Sequence, residues 1–533
     1  MVAAAGAADP GRRAARTMSV SRTVRIGADF AAMTGGWMVR VALGLVVSVL
    51  IARHLAPAEM GRYAFLIWLA GLLAVALSLG CPTTVTRYTA EALGAGRPGV
   101  AGALLGVVVR WQATLALAAS AVMAAAALLV ATPWRVPLAL TALSLPSLVL
   151  HGSVAAFLSG LQAFRRQALL GVATLALQIA LFALVVLVDG GVAGFVLAHA
   201  VANAAGLAAV AALARSHGRA AGALPASPLT SPARAEMLRY ARSVSALVVL
   251  DAVVWQRTEV AFLQWMSSPA EVAFYALAFG VAAQVARIPY QASLVLFPSF
   301  PALVGGGRVA ELAALHATAT RYLVLLGAPL AIGLAVTAPG LVHLLWGAAY
   351  APAGLVLAVL ALGSLVAFAA GASPAVLHAL KQQDRLLRQG LLAAAVDLAL
   401  AVTLVPLAGA LGAALANVAA QGLGSVLAIR AAVRAAGAAV PAAALARIVA
   451  AAALMGAAAL VPVVTFGGGA GLLMAIVVGA LVYPLALRVL HAFTTEDLDR
   501  LRALVERLPV PARSRSLALA GFLCGEPSRA GSP

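Results

Sequence analysis

Lysine is almost absent from this chain of 533 residues: Lys381 is the only one, and no glycine-rich loop precedes it. A phosphate-binding loop of the G-x-x-x-x-G-K-[ST] type needs a lysine directly behind its glycines. The chain therefore lacks the ATP site of a P-loop ATPase. Cysteine is nearly as rare, with Cys81 and Cys524 alone, which excludes a disulfide framework and a cysteine metal site. We expect no cofactor, no bound metal and no catalytic residue.

Charged residues are also scarce. They make up 10% of the sequence, whereas 63% of the residues are hydrophobic and the mean hydropathy is +1.03. A soluble domain has about a quarter of its residues charged, and it could not shield this much apolar surface from water. The composition therefore predicts an all-α integral membrane protein, in which each spanning helix needs about 20 apolar residues.

Apolar stretches of helix length occur about fourteen times along the chain. The predicted transmembrane spans are 30–52, 63–80, 103–131, 136–160, 168–188, 192–214, 241–265, 272–300, 322–346, 353–377, 389–407, 410–430, 443–465 and 468–490. Two very short connections, Asp189-Gly190-Gly191 and Leu407-Ala408-Gly409, are typical of tight hairpins between consecutive spans.

The net charge is +19, and most of the basic residues fall on one side of the predicted spans. Of the 36 basic residues, 29 fall in the two tails and the loops on the same side, 3 fall on the opposite side, and four lie inside spans. Cytoplasmic segments of membrane proteins are enriched in Lys and Arg. We therefore predict that both termini are cytoplasmic, and we attribute the basic charge to membrane topology and not to nucleic-acid binding.

Two motifs recur along the chain at nearly the same separation. The string P-A-E-x-x-x-Y-A begins at Pro57 and again at Pro269, and G-x-x-G-x-x-L-A begins at Gly191 and again at Gly409. Spans one to six are thus predicted to repeat as spans seven to twelve. Because six is an even number, the two copies share an orientation and are related by a pseudo-two-fold axis along the membrane normal, an arrangement typical of transporters.

The repeat predicts two parallel six-helix lobes followed by two further helices. The predicted parts are a cytoplasmic N-terminal tail (1–27), an N-lobe with spans one to six (28–214), a cytoplasmic linker (215–240), a C-lobe with spans seven to twelve (241–432), spans thirteen and fourteen (443–490) and a cytoplasmic C-terminal tail (491–533).

Several polar residues interrupt the apolar spans. A charge at the centre of a bilayer costs about 2.5–3.5 kcal/mol on insertion scales, so it needs a partner or a water-filled cavity. Gln284, Arg287 and Gln291 recur at helical spacing and form one polar stripe. The alternative is that the charges only pair with each other and join the lobes. The candidate cavity residues are Arg40, Arg110, Asp251, Arg257, Glu259, Gln284, Arg287, Gln291 and Asp397.

The segment Leu50–Tyr63 resembles the A-R-x-L-x-x-x-x-x-G-x-Y opening of bacterial polysaccharide and oligosaccharide-lipid flippases, which belong to the multidrug/oligosaccharidyl-lipid/polysaccharide exporter superfamily. The resemblance extends over about residues 28–490. Its other motifs are Gly80 ahead of Arg87-Tyr88, Phe157–Gln162, Asp251 through Tyr275, Trp346–Ala353 and Pro406–Ala416.

This resemblance implies a transporter and not an enzyme. Two lobes would enclose a cationic cavity that opens to each side in turn. Its substrate would be an oligosaccharide on a polyprenyl-pyrophosphate carrier, moved from the cytoplasmic to the outer leaflet of a bacterial inner membrane for lipopolysaccharide or exopolysaccharide synthesis. A polysaccharide polymerase or glycosyltransferases would be partners. Arg40 and Arg287 correspond to basic residues of similar proteins, whereas Asp251, Arg257 and Glu259 match only the polar character of span seven.

Two other functions stay open. A cation-coupled exporter of drugs or small metabolites on the same fold should have twelve spans and mainly acidic residues in its cavity. A membrane enzyme, such as a glycan polymerase or ligase, should have a large external loop with His, Arg or acidic residues. Fourteen spans, four arginines inside them and short external loops favour the flippase.

Cysteine labelling tests the predicted topology. In a Cys81→Ser/Cys524→Ser background, we expect Asp189→Cys to react with a membrane-impermeant maleimide on intact spheroplasts, because its hairpin is external. Arg165→Cys and Arg385→Cys should react only after lysis. Labelling of either arginine position from outside would contradict the topology.

Overall fold

A computed structural model describes residues 38–224, 235–237, 239–241, 245, 257–296, 299–437 and 440–492. Within these ranges the chain is helical apart from short connections, and contains no strand. The all-α fold predicted from composition is confirmed. Asp251, the N-terminal tail, part of the predicted linker and the C-terminal tail beyond Ala492 lie outside the described residues.

The chain divides into two compact units. The N-terminal unit comprises Met1–Leu55 and Arg62–Gln256, and the C-terminal unit comprises Ala56–Gly61 and Arg257–Pro533. The helices up to the end of the predicted N-lobe are α1 (residues 38–54), α2 (Pro57–Ser78), α3 (Cys81–Gly94), α4 (Pro98–Leu129), α5 (Thr132–Gly160), α6 (Phe164–Leu187) and α7 (Gly191–Ala220).

In the N-terminal unit, α5 is the central helix. It packs against α3, α4 and α7, while α6 packs mainly against α7. Phe157 of α5 is fully buried in a cluster with Val85 and Tyr88 of α3. Aromatic rings fix the C-terminal end of α6: Phe182 packs edge-to-face against Phe195 and Tyr63. The tyrosine of the first repeated motif is therefore a packing residue.

The C-terminal unit contains nine α-helices and a short 3-10 helix (Ala348–Tyr350) within the described residues. The α-helices are α8 (Glu259–Met266), α9 (Pro269–Leu296), α10 (Ser299–Gly305), α11 (Val309–Trp346), α12 (Pro352–Ala370), α13 (Ser373–Ala379), α14 (Gln383–Ala436), α15 (Ala442–Phe466) and α16 (Gly468–Val489). Helix α12 packs against α9, α11 and α14, and α8 packs against α14.

The last two helices form a hairpin that is tied to α11. The hydroxyl of Tyr483 on α16 donates to the carbonyl of Leu325 at 2.7 Å. The guanidinium of Arg321 donates to the carbonyl of Ala492, just beyond the end of α16, at 2.6 Å. Arginine at this position also complements the negative end of the α16 helix dipole. Predicted spans thirteen and fourteen thus belong to the C-terminal unit.

The helices agree with about fourteen spans. Eleven described helical stretches are long and apolar enough to cross a membrane. One of them, Gln383–Ala436, contains predicted spans eleven and twelve, because the backbone breaks at Ala408 (φ −139°) and Gly409 (φ +52°). Predicted spans one and seven lie only partly within the described residues.

Several helices are longer than the apolar stretches that predicted them. Helix α11 begins at Val309, well before the predicted start of span nine at residue 322. Its first turns carry Glu311 and His316, which lower the hydropathy without interrupting the helix. Hydropathy therefore locates the part of a helix in hydrocarbon, whereas backbone hydrogen bonding extends it into the polar region.

The internal repeat is visible in the local geometry of each unit. Gly191 and Gly409 begin equivalent helices with nearly equal left-handed φ angles of +54° and +52°. In a further pair, Phe157 with Gly160 recurs as Phe368 with Gly371, at nearly the same separation along the chain as the two motifs. Both phenylalanines are fully buried. Both copies thus have a glycine with positive φ and a buried phenylalanine at equivalent positions.

The two turn glycines give a matched pair of variants. A side chain at a left-handed position costs about 1–2 kcal/mol, so Gly191→Ala and Gly409→Ala should both lower the unfolding temperature. Around Gly191 there is open space, but a Cβ on Gly409 would lie 2.5 Å from Oε2 of Glu271. That oxygen accepts a hydrogen bond from the amide of Ala410 at 2.7 Å. We expect a clearly larger drop for Gly409→Ala in detergent unfolding, and equal drops would contradict this account.

Candidate functional site

Two predicted acidic residues are buried together in the C-terminal unit. Glu259 at the start of α8 is 1% exposed and Asp397 in α14 is 6% exposed. Their carboxyl groups interact electrostatically. The contact follows from the packing of α8 against α14, which brings predicted spans seven and eleven together.

Amide side chains from predicted span twelve complete this cluster. Asn417 donates from Nδ2 to Oε1 of Glu259 at 2.7 Å. Gln421, one turn further along the helix, donates from Nε2 to Oδ1 of Asn417 at 2.9 Å. The chain of hydrogen bonds orients one carboxylate oxygen of Glu259. We call Glu259, Asp397, Asn417 and Gln421 the acidic cluster.

Three polar groups are buried side by side at the acidic cluster. Oε2 of Glu259, Oδ1 of Asp397 and the hydroxyl of Tyr275 are buried, and the side chain of Glu259 lies within hydrogen-bonding range of those of Asp397 and Tyr275. Tyr275 lies within electrostatic range of both carboxyl groups. Two neighbouring buried carboxylates repel each other, so one of them takes up a proton unless a cation balances the charge. The arrangement is therefore suited to bind a proton or a monovalent cation.

Arg257 lies next to this cluster in a strained conformation. Its φ angle is +60°, which L-residues other than glycine rarely adopt. Its guanidinium lies 5.3 Å from the ring centre of Phe279 and interacts electrostatically with Glu259 and Arg287. The structure thus brings Arg257, Glu259 and Asp397 together, with Arg287 within electrostatic range.

The predicted polar stripe of span eight lies on α9. The side chain of Arg287 is exposed. Gln284 donates from Nε2 to the carbonyl of Gly280 in its own helix at 3.3 Å. The side chain of Gln291 lies outside the described residues, as does Asp251 of predicted span seven.

The two candidate arginines of the N-terminal unit are both exposed. Arg40 on α1 lies against α6, where a Cβ built on Gly171 would be 3.2 Å from a guanidinium nitrogen. Arg110 extends along its own helix α4 toward Gly106.

Prediction from charged residues alone misses the amides of the acidic cluster and a second set of polar residues. In the N-terminal unit, Nε2 of Gln178 and Nδ1 of His199 are 2.9 Å apart. One turn beyond His199, Nδ2 of Asn203 is buried without a partner. We call these three residues the neutral cluster. The internal repeat is a sequence signal that could have pointed to both clusters. Asn417 follows His199, and Gln421 follows Asn203, by the same number of residues that separates Gly191 from Gly409.

Solved structures of other proteins have a similar helical fold. A structure described as "Lipid II flippase MurJ, inward closed conformation" is 14% identical, with a TM-score of 0.70, and the match covers 86% of this chain and 98% of that one. An inward-facing multidrug resistance MATE family transporter of the MOP superfamily is 13% identical with a TM-score of 0.63, covering 74% and 94%. At this identity the likeness shows the fold. No curated protein matches the chain.

A family model adds evidence from sequence. The model described as "Polysaccharide biosynthesis protein" matches residues 26–304, which is more than half of the chain. The matched region includes the opening motif, the first repeat and the beginning of the second. The chain therefore belongs to the polysaccharide biosynthesis protein family, on the multi-pass helical fold that the MurJ flippase and MATE transporters share.

Proposed function

We propose that this protein is a flippase that moves a polyprenyl-pyrophosphate-linked oligosaccharide from the cytoplasmic to the outer leaflet of a bacterial inner membrane by alternating access. The glycan would serve lipopolysaccharide or exopolysaccharide synthesis, together with a polymerase or glycosyltransferases. Membership of the polysaccharide biosynthesis family and the fold of a lipid II flippase support this proposal. The observation that carries it is the exposure of Arg40 and Arg287 within predicted transmembrane spans.

Exposed arginines at these positions need a polar environment. Arginine in hydrocarbon costs about 2.5–3.5 kcal/mol or more, so such a side chain faces water, lipid headgroups or an anionic ligand. A guanidinium forms paired hydrogen bonds with phosphate oxygens. Arg40 and Arg287 would offset the charge of the pyrophosphate while the prenyl tail stays in the bilayer.

The substrate's charge also gives a direction to transport. Moving one negative charge outward across an inside-negative membrane is favourable by about 2.3 kcal/mol per 100 mV. A pyrophosphate carries more than one such charge. The membrane potential can therefore drive export without ATP, in agreement with the missing P-loop lysine.

Removing both arginines tests the proposal. Arg40→Ala/Arg287→Ala should abolish complementation of surface polysaccharide in a strain that lacks the gene, because the pyrophosphate loses both countercharges. Membrane insertion should be unchanged when measured by fluorescence-detected size exclusion of a tagged protein.

The control replaces two equally exposed arginines outside the spans. Arg165→Ala/Arg385→Ala removes the same charge from the predicted cytoplasmic loops and should complement like the wild type. Normal export by the Arg40/Arg287 variant would contradict the charge-neutralising role.

A cation-coupled drug or metabolite exporter is the second candidate, and the acidic cluster favours it. Glu259 and Asp397 provide two neighbouring buried carboxyl groups, as a coupling site requires. The same cluster can serve a flippase, where a cation entering from outside resets the protein after substrate release. The substrate distinguishes the two candidates: a drug exporter changes resistance to cationic compounds and leaves surface glycan intact.

Neutral variants of the carboxylates test the coupling site. In proteoliposomes, we expect transport by the wild type to respond to a gradient of sodium or of protons. Glu259→Gln and Asp397→Asn should reduce that response at least tenfold, because each removes one carboxylate while keeping its shape. Asp384→Asn changes an exposed acid on the same helix as Asp397 and should leave the response unchanged. A full response in both cluster variants would exclude the acidic cluster as the coupling site.

A further inference from the structure

The neutral cluster occupies positions that the internal repeat relates to the acidic cluster. His199 and Asn203 follow the turn glycine Gly191 at the same intervals at which Asn417 and Gln421 follow Gly409. Both glycines have nearly the same φ angle, and the motif G-x-x-G-x-x-L-A begins at each of them. The same face of the repeated helix therefore carries polar groups in both units.

The chemistry at these equivalent positions differs. The acidic cluster contains two carboxylates, whereas the apolar parts of α6 and α7, residues 168–187 and 192–214, contain no Asp, Glu, Lys or Arg. The polar side chains of the neutral cluster are two amides and an imidazole. Each amide can donate and accept hydrogen bonds, and the neutral imidazole does the same through its two nitrogens. Such groups suit an uncharged, hydroxyl-rich ligand better than a metal ion or an anion.

The neutral cluster has hydrogen-bonding groups that a ligand could use. One bond joins Gln178 to His199, and this bond does not exhaust either side chain. The amide nitrogen of Asn203 has no partner among the described residues although it is buried. An unpaired buried donor costs about 1–3 kcal/mol, which a cluster that served packing alone would avoid. Thr174 on the same face of α6, by contrast, bonds the carbonyl of Leu170 at 2.9 Å.

The position of Arg40 relates this cluster to the proposed substrate. Arg40 lies against Gly171. Gln178 follows Gly171 by two helical turns, so Gly171 and Gln178 lie on one face of α6, about 10 Å apart along the helix. A glycan bonded to a phosphate at Arg40 could extend along this face of α6 to Gln178. Because α6 is predicted to run outward, the sugar end would point toward the outer leaflet.

We propose that Gln178, His199 and Asn203 form a glycan subsite that hydrogen-bonds sugar hydroxyls of the lipid-linked substrate while Arg40 holds its phosphate. This inference rests on the flippase function proposed above and adds which part of the substrate the neutral cluster recognises. The two copies of the repeat thereby have separate tasks: neutral groups for the sugar in the N-terminal unit, carboxylates for the coupling cation in the C-terminal unit.

Two probe lipids separate sugar recognition from phosphate recognition. The full-length protein in nanodiscs would be titrated with undecaprenyl pyrophosphate and with undecaprenyl-pyrophosphoryl-N-acetylglucosamine, and Kd measured by intrinsic fluorescence. We expect the wild type to bind the sugar-bearing lipid about tenfold more tightly. Gln178→Leu/His199→Leu should abolish this preference without changing Kd for the bare lipid, whereas Arg40→Ala should weaken both.

The variants are chosen so that misfolding does not mimic the result. Replacing Gln178 and His199 together leaves neither partner unpaired, which keeps the stability cost small. His199→Asn, which installs the residue of the equivalent position, should retain most of the preference, and Thr174→Val should retain all of it. Unchanged binding of the bare lipid reports a folded protein.

The outcomes distinguish the two proposals. Failure of the wild type to bind either lipid would overturn the flippase function and the subsite with it. Equal binding of both lipids by the wild type would overturn the subsite alone. An equal loss for both lipids in Gln178→Leu/His199→Leu would show a structural role for the neutral cluster and also overturn the subsite.

Discussion

A polar side chain inside a bilayer-spanning helix must find its hydrogen bonds within the protein or in water that the protein admits, because hydrocarbon offers none. This constraint explains where the few polar residues of the spans lie. Glu259 is bonded by Asn417, and Gln178 by His199, each across a contact between helices. Arg40 and Arg287 remain exposed. The paired groups thus have partners within the protein, and we propose that the exposed arginines bind the phosphates of the substrate.

The two copies of the repeat share backbone features but differ in their polar side chains. Backbone features are retained in both copies, as in the left-handed glycines Gly191 and Gly409. These features fix where helices turn and how closely they approach, so changing them would disturb the whole unit. Side chains two turns deeper in the spans differ, with His199 in one copy and Asn417 in the other. A repeated helix pair thus keeps its geometry while its polar groups are free to acquire separate ligands.

The sequence predicts the number of spans and the two hairpins because apolar length and glycine position are local properties. It does not predict the ends of α11, since hydropathy ends where hydrocarbon ends and the helix continues. Charge predicts the acidic cluster only in part: Glu259 and Asp397 stand out in apolar spans, but their contact depends on the packing of α8 against α14. Asn417 escapes prediction because a neutral amide in an alanine-rich helix has little effect on charge or hydropathy.

The leaflet that holds the lipid-linked glycan tests the central claim most directly. In a strain lacking the gene, a membrane-impermeant glycosidase or lectin applied to spheroplasts and to inverted vesicles reports on which side the glycan accumulates. We expect accumulation on the cytoplasmic leaflet and loss of surface polysaccharide, both reversed by the intact gene. Glycan that still reaches the outer leaflet, together with a new sensitivity to cationic compounds, would contradict the flippase and indicate a drug exporter.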